Sequence, residues 1–108
     1  MTSAPDTLSR LEAVIASRKS ASPDSSYVAK LHARGLPVIA RKLGEEAVEA
    51  VVAALAEDDA ELVGEAADVI FHLMVLLSAK GVSLQQVLEE LDRREGVSGL
   101  DEKASRSE

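Results

Sequence analysis

The sequence predicts an all-α protein: a five-helix subunit whose antiparallel helical bundle is completed by dimerisation. Apolar residues make up 46% of the 108 residues and aromatic residues only 2%. The chain is rich in Ala, Leu, Val and Glu, and this bias favours helix because Ala and straight-chain residues lose little rotamer freedom there. Apolar positions recur at helical spacing between groups of Gly, Pro, Ser and Asp, and no segment alternates with the period of a strand.

The first two helices are short and are separated by a loop. Asp6 or Thr7 is the predicted N-cap of the first helix, which extends to about Lys19. Residues 20–25 contain a proline and are predicted to form a loop. The second helix is predicted over residues 26–34.

The third and fourth helices are the longest. Gly35 occupies the position where a left-handed residue ends a helix, and Pro37 suits the first turn of the third helix, which is predicted to extend to about residue 56. Asp58 with Glu61 resembles a capping box that opens the fourth helix.

The fifth helix has the same kind of start signal. Gly81 ends the fourth helix, and Ser83 with Gln86 forms a second capping-box pattern. The fifth helix is predicted to end near Arg94. One domain over residues 1–108 is expected, with a core at 7–94 and mobile ends at 1–6 and 96–108.

Composition also excludes several classes of function. The chain has no cysteine, which removes disulfides, thiolate zinc sites and thiol nucleophiles. A net charge of −7 with almost no aromatic residues argues against nucleic-acid binding. The start lacks a signal-peptide pattern, so a cytoplasmic protein is expected. The most apolar stretch, residues 69–77, is shorter than the roughly 20 residues of a membrane span, so no membrane contact is expected.

The third and fourth helices carry more apolar surface than one small subunit can cover. The apolar positions of the third helix and nearly the whole circumference of residues 69–77 need protein around them. A homodimer is the economical answer, because a second copy supplies the missing cover. The alternative is a monomer in which the first and fifth helices supply it.

Each long helix also carries a stripe of acidic residues. At about 100° per residue, four polar positions of the third helix share one side, and four of the fourth helix share a narrower arc. These positions are Lys42, Glu45, Glu46 and Glu49 on the third helix, and Glu61, Glu65, Asp68 and His72 on the fourth.

Such stripes are usually solvated faces, and Lys42 can simply pair with Glu46 one turn later. However, Asp68 and His72 lie in the helix that most needs burial, and a short turn at residues 57–59 would set the two stripes side by side. Carboxylates that converge need either raised pKa values or a cation among them. Oxygen ligands without cysteine favour Mg²⁺, Mn²⁺ or Ca²⁺ over zinc.

These residues resemble a known motif. The pattern Glu45-Glu46-x-x-Glu49 followed by Glu65-x-x-Asp68 is similar to the EExxE…ExxD motif of the all-α nucleotide pyrophosphohydrolases, the MazG-like superfamily. The contexts around Tyr27, around Lys42 and from Glu65 to Leu73 resemble more narrowly the phosphoribosyl-ATP pyrophosphohydrolase family of histidine biosynthesis. The resemblance covers about residues 7–94. Pro37-Val38 replaces a basic residue that is common in the family, and Phe71 stands where Tyr is frequent.

The resemblance implies hydrolysis of N1-(5-phosphoribosyl)-ATP to phosphoribosyl-AMP and pyrophosphate, the second step of that pathway. It implies Mg²⁺, with Mn²⁺ as an alternative. The implied metal ligands are Glu46, Glu49, Glu65 and Asp68. Glu45, Glu46 and Glu49 are the implied catalytic residues, Glu45 as general base or as a hydrogen-bond acceptor behind the ligands. Lys42, Lys30, Arg34, Tyr27 and His72 are the implied substrate-binding residues.

Several of these residues have an ordinary structural alternative. Glu45 can be a solvated helix residue and Lys42 its ion-pair partner. His72 either hydrogen-bonds Asp68 one turn back or is an ordinary core histidine, and Tyr27 either stacks on the adenine or anchors the second helix. Two other functions also remain open: a housekeeping pyrophosphohydrolase acting on another nucleotide, and a non-catalytic helical oligomerisation module.

Overall fold

The computed structural model describes residues 4–96, and the side chains from Thr7 onward. Five α-helices account for most of this range, and no strand occurs within it. They are α1 (Ala4–Arg18), α2 (Tyr27–Arg34), α3 (Leu36–Ala56), α4 (Asp59–Lys80) and α5 (Leu84–Arg94). The predicted all-α fold and all five predicted helices are therefore confirmed. Of the ends predicted to be mobile, 1–6 and 96–108, residues 1–3 and 97–108 lie outside the described residues, whereas residues 4–6 form the start of α1.

The starts of α3, α4 and α5 follow the predicted signals, and α2 has an N-cap, Ser26, that was not predicted. Ser26 Oγ accepts a hydrogen bond from the Ala29 N–H at 3.2 Å at the start of α2. Asp58 Oδ1 accepts one from the Glu61 N–H at 2.9 Å, and Ser83 with Gln86 forms a complete capping box. Helix α1 begins at Ala4, before the predicted caps Asp6 and Thr7, because Pro5 fits the first turn of a helix.

Gly35 allows α2 and α3 to follow one another with no intervening loop. It has a φ of 98°, and its N–H donates to the carbonyl groups of Leu31 and His32 at the end of α2. The same residue is the N-cap of α3. A side chain is disfavoured at this φ. The chain therefore changes direction within a single residue.

Helices α3 and α4 form an antiparallel hairpin, which is the largest helix contact in the described chain. Only Glu57 and Asp58 connect them, and a connection this short makes the helices antiparallel neighbours. Helix α1 packs on α4, α2 and α5, and α2 packs on α3. The turn predicted at residues 57–59 is thus confirmed, and the two acidic stripes lie on neighbouring helices.

The hydrophobic core lies away from the tip of this hairpin. Its buried members come from all five helices: Ile15, Val28, Leu31, Ile39, Met74, Val75 and Leu84. On α3 they come only from the N-terminal part, and on α4 only from the C-terminal part. In the other half of the hairpin, Ala53 is the buried apolar residue.

The hairpin leaves a large apolar face exposed, which we call the hairpin face. It is formed by Val48, Val51, Val52 and Leu55 of α3 and by Val63, Ile70 and Leu73 of α4. Leu55 is 83% exposed and Val63 69%. The first and fifth helices therefore do not supply the cover that a monomer of this sequence would need.

By length and composition, α4 also satisfies a simple criterion for a membrane-spanning helix, with a mean hydropathy of 1.7, and it alone does so within residues 4–96. The most apolar stretch of α4, residues 69–77, is by itself shorter than a membrane span. Central helices of soluble proteins satisfy the same criterion, so composition here is weak evidence for a membrane. The acidic residues Glu65 and Asp68 near the middle of α4 are costly in a bilayer.

Candidate active site

Three carboxylates from the two hairpin helices converge on one point. Glu46 and Glu49, one turn apart on α3, and Glu65 of α4 each offer an oxygen, and these three oxygens lie within 4.8 Å of one another. The i, i+3 spacing places the two α3 residues on the same side, and the hairpin sets α4 beside them. This arrangement, the carboxylate cluster, can hold a metal ion.

The buried member of the cluster is Glu46, which is only 9% exposed. Burial raises the pKa of Glu46, and the hydrogen bond that the Glu46 carboxyl donates to Glu49 and the negative charge of Glu49 raise it further. The nearby Asp68 also raises this pKa, and only the protonated form of His72 would oppose the shift. Burial and the neighbouring acids therefore both disfavour the charged form of Glu46, and a cation would oppose them.

Glu65 carries the clearest sign that a cation belongs in this cluster. Its Oε2 atom is buried and has no hydrogen-bond partner. A buried carboxylate oxygen left unpaired is costly, and a metal ion would satisfy it. Because all three donors are carboxylate oxygens, the chemistry fits a hard cation of the Mg²⁺, Mn²⁺ or Ca²⁺ kind.

Lys42 lies beside the cluster and pairs with its neighbours on α3. Its Nζ is 3.6 Å from Glu46 Oε1 and 3.7 Å from Glu45 Oε1. Its pKa is raised, chiefly by the neighbouring Tyr27 and, less strongly, by Glu46 and Glu45, against the effect of burial. Lys42 therefore stays charged and partly neutralises the cluster. Glu45 is exposed and also lies 3.7 Å from Arg41 Nε.

The remaining predicted residues divide into an exposed and a buried group. Asp68 is exposed and is not among the three converging residues, although it is close enough to affect Glu46. Lys30 and Arg34 are exposed on α2. His72 is 5% exposed, and its predicted hydrogen bond to Asp68 exists, with the backbone carbonyl as acceptor at 2.7 Å.

The structure adds contacts that the sequence reasoning did not find. Tyr27 Oη lies 2.9 Å from His72 Nε2, and the Tyr27 ring stacks on Phe71. Arg41, four residues before Glu45, was also overlooked, although its i, i+4 spacing is a signal for an ion pair. No spacing rule links Tyr27 to His72, which are 45 residues apart.

Comparison with known proteins identifies the family of the chain. The sequence profile of the phosphoribosyl-ATP pyrophosphohydrolase family matches residues 8–95, which include every residue of the carboxylate cluster. The chain belongs to this family. The predicted family is thereby confirmed, and with it an enzyme rather than a non-catalytic module.

Individual members of the phosphoribosyl-ATP pyrophosphohydrolase family are similar over nearly their whole length. A phosphoribosyl-ATP pyrophosphatase of Erythrobacter litoralis is 69% identical over 103 residues, which cover 95% of this chain and 99% of that protein. One of Novosphingobium aromaticivorans is 67% identical over 100 residues, with 93% and 94% covered. One of Rhizorhabdus wittichii is 62% identical, with the same coverage.

Proposed function

We propose that the protein hydrolyses phosphoribosyl-ATP to phosphoribosyl-AMP and pyrophosphate, the second step of histidine biosynthesis. The name carried by the similar proteins supports the substrate. The observation that supports the chemistry is the carboxylate cluster with the unpaired buried oxygen of Glu65. A site that releases pyrophosphate from a nucleotide must neutralise the negative charges of several phosphate groups. Acidic residues can do this by holding a divalent cation.

The proposed cofactor is Mg²⁺, with Mn²⁺ as the alternative, held by Glu46, Glu49, Glu65 and Asp68. When bound, the ion supplies charge neutralisation for the phosphate groups and lowers the pKa of the attacking water. Glu46 contributes a buried carboxylate whose raised pKa falls once a cation is near. Asp68 belongs to this set because its charge already acts on Glu46.

Glu45 is proposed as the general base or as the acceptor that orients a catalytic water. It lies next to Glu46 on α3, but its side chain is 51% exposed and paired with Lys42 and Arg41. An exposed carboxylate next to a buried metal site can accept a proton and release it to solvent. In the other interpretation Glu45 only balances these two cations, and replacing it would then have little effect on turnover.

Positive side chains around the cluster are proposed to bind the phosphate groups. Lys42 is partly buried and charged beside Glu46, so it is the strongest of these residues. Lys30 and Arg34 lie on exposed positions of α2 and can reach into solvent toward an anion. Tyr27, at the start of α2 and 46% exposed, offers a ring for the nucleotide base.

The active form is proposed to be a homodimer in which two hairpin faces pack together. An apolar face of this kind is typical of an obligate interface. Gly44 and Gly64 give further support, since an added Cβ at either glycine would meet nothing within 4 Å in the subunit. Contacts within the subunit therefore do not explain these mid-helix glycines, whereas close approach of a second copy or of substrate would.

The proposed setting is the cytoplasm, with a small-molecule nucleotide as the ligand and no nucleic acid or membrane as a partner. The acidic net charge of −7 disfavours nucleic acids. Pairing of the hairpin faces would cover the apolar side of α4. That helix then resembles the core helix of a soluble protein rather than a membrane span.

The proposal is tested by measuring pyrophosphate release from phosphoribosyl-ATP and, in parallel, from ATP, each with Mg²⁺ and with EDTA. We expect release from phosphoribosyl-ATP only when the divalent ion is present. Activity on ATP but not on phosphoribosyl-ATP would contradict the substrate. Rescue of a histidine auxotroph that lacks this step is the matching test in cells.

A further inference from the structure

The two aromatic residues of the chain and one of its two histidines form a single cluster between α2 and α4. The rings of Tyr27 and Phe71 stack with centroids 6.0 Å apart and an interplanar angle of 22°. The His72 ring meets both nearly edge-on, at 5.7 Å from Tyr27 and 5.1 Å from Phe71. The sequence contains no other Tyr, Phe or Trp. All aromatic packing of this protein is thus concentrated beside the carboxylate cluster.

Both ring nitrogens of His72 are already engaged. Nδ1 lies 2.7 Å from the Asp68 carbonyl oxygen, which can only accept, so Nδ1 carries a hydrogen. In the neutral ring Nε2 is then an acceptor, and the Tyr27 hydroxyl, 2.9 Å away, donates to it. Because His72 is also only 5% exposed, it has neither a free N–H nor a surface for a phosphate oxygen.

Tyr27 differs from His72 in being half exposed. It is the first residue of α2, the helix that carries Lys30 and Arg34. It also lies near Lys42, which pairs with Glu46 of the cluster. The position of Tyr27 therefore affects where its own exposed ring, Lys30 and Arg34 lie relative to the carboxylate cluster.

We propose that His72 is a positioning residue: with its Nδ1 held by the Asp68 carbonyl, its Nε2 holds the Tyr27 hydroxyl, and through it the first turn of α2, beside the carboxylate cluster. This inference rests on the proposed function for its kinetic consequence. It reassigns His72, which is predicted from the sequence as a substrate-binding residue, to a role one step removed from the substrate. Tyr27 is the member of the pair that contacts the nucleotide.

The tautomer can be tested without any activity. With ¹⁵N-labelled histidine, long-range ¹H–¹⁵N correlation spectra at about pH 8 contain only His32 and His72. We expect His72 to show a protonated Nδ1 and an unprotonated Nε2, and the Nε2 shift to move in Tyr27→Phe while Nδ1 stays protonated. A protonated Nε2 in the wild type, or no response to Tyr27→Phe, would overturn the proposal whether or not phosphoribosyl-ATP is the substrate.

The kinetic test uses a matched pair of substitutions at the same position. In His72→Gln the longer side chain brings its amide oxygen near the position of Nε2, where it can still accept the hydrogen bond from Tyr27. In His72→Asn the shorter side chain places its amide only near the position of Nδ1, so the hydrogen bond with Tyr27 is lost. Loss of one hydrogen bond corresponds to roughly a 3- to 10-fold change in an equilibrium constant. We expect His72→Asn and Tyr27→Phe each to raise KM for phosphoribosyl-ATP by about that factor, with kcat changed less and with His72→Gln restoring the wild-type KM.

A purely structural histidine would behave differently in these assays. It would lower thermal stability in both His72 variants and leave KM of the folded enzyme unchanged. The double variant Tyr27→Phe/His72→Asn should have a KM no higher than the larger single effect, because both changes remove the same hydrogen bond. Multiplied effects, or a fall in kcat alone, would contradict the positioning role.

Discussion

Glu46 of α3 and Glu65 of α4 bring carboxylate oxygens within 4.8 Å of each other across the helix hairpin; Glu46 is buried, and so is the Oε2 atom of Glu65. Neither has a lysine or arginine from the opposite helix as a partner among the ion pairs of the described residues, and Lys42 pairs with Glu46 from the same helix. Two shielded acids facing each other are unfavourable for the apo subunit. These facing acids therefore lower the stability of the apo subunit, and a bound cation would relieve their repulsion.

Replacing Glu65, whose Oε2 atom has no hydrogen-bond partner, should greatly reduce turnover without unfolding the protein. We expect Glu65→Gln to lower the rate of pyrophosphate release by about 100-fold or more, because an amide is a poor ligand for a hard cation. The matched control is Glu61→Gln, one turn earlier on the same helix and exposed. Circular dichroism should show both variants folded. Activity of Glu65→Gln within a few-fold of Glu61→Gln would place the reaction elsewhere.

Divalent ions should stabilise the wild-type protein through this same site. At a free Mg²⁺ concentration 100-fold above Kd, binding to the native state adds about 2.7 kcal/mol to the free energy of unfolding. Thermal melts with Mg²⁺ and with EDTA should therefore differ by several degrees in the wild type and by much less in Glu49→Gln. Equal shifts in the two proteins would mean that the ion binds outside the carboxylate cluster.

In the metal-free protein, the contribution of Glu46 to the free energy of unfolding should increase as the pH falls toward 4.5. The pKa of Glu46 is raised above its ordinary 4.5, so between 4.5 and the raised value the native state binds more protons than the unfolded chain. This contribution is fully present below about 4.5 and is lost as the pH rises through the raised pKa. Denaturant titrations in EDTA should show this slope in the wild type and not in Glu46→Gln. An identical pH dependence in both would argue against a shifted Glu46.

The ion pairs of Glu90 with Arg93 and Arg94 on the surface of α5 should stabilise the protein less as the pH falls, which is the opposite of the effect of Glu46. Hydrogen bonds from Arg93 and Arg94 lower the pKa of Glu90 to about 2. The stability from these pairs is therefore present above pH 4.5 and is lost as the pH falls toward 2. Glu90→Gln should differ from the wild type in its unfolding midpoint near neutral pH and converge with it near pH 2. A difference that persists at pH 2 would show that charge is not the cause.

A charge placed in the hairpin face should separate the proposed dimer. Val51 is 58% exposed in the subunit, and a twofold interface would bury it twice. Losing two buried aliphatic side chains costs about 3 kcal/mol or more, which weakens dimerisation at least about 100-fold. Light scattering after gel filtration should give two chains for the wild type and one for Val51→Asp.

The control for this experiment is Val14→Asp, which changes an exposed valine of α1 away from the hairpin face. It should remain dimeric like the wild type. A wild type that is monomeric at micromolar concentration, or dimers in both variants, would mean that something other than a second copy covers the hairpin face.

Local sequence was sufficient to predict the helices and the carboxylates. The caps at Asp58 and Ser83 were recognisable because each uses a side chain to satisfy an N–H only a few residues away. The spacing of Glu46 and Glu49 placed them on one side of α3 for the same local reason. The start of α1 was missed because Pro5 permits the helix to begin earlier than the first capping residue.

Only the tertiary structure could show which acid is buried and what His72 contacts. Glu46 and Glu45 are adjacent in sequence, yet one is 9% exposed and the other faces solvent, because packing against α4 covers one side of α3. Tyr27 and His72 meet across 45 residues through the packing of α2 and α4 against a common core. Helical periodicity determines directions around one axis, whereas burial and long-range hydrogen bonds depend on how separate axes pack together.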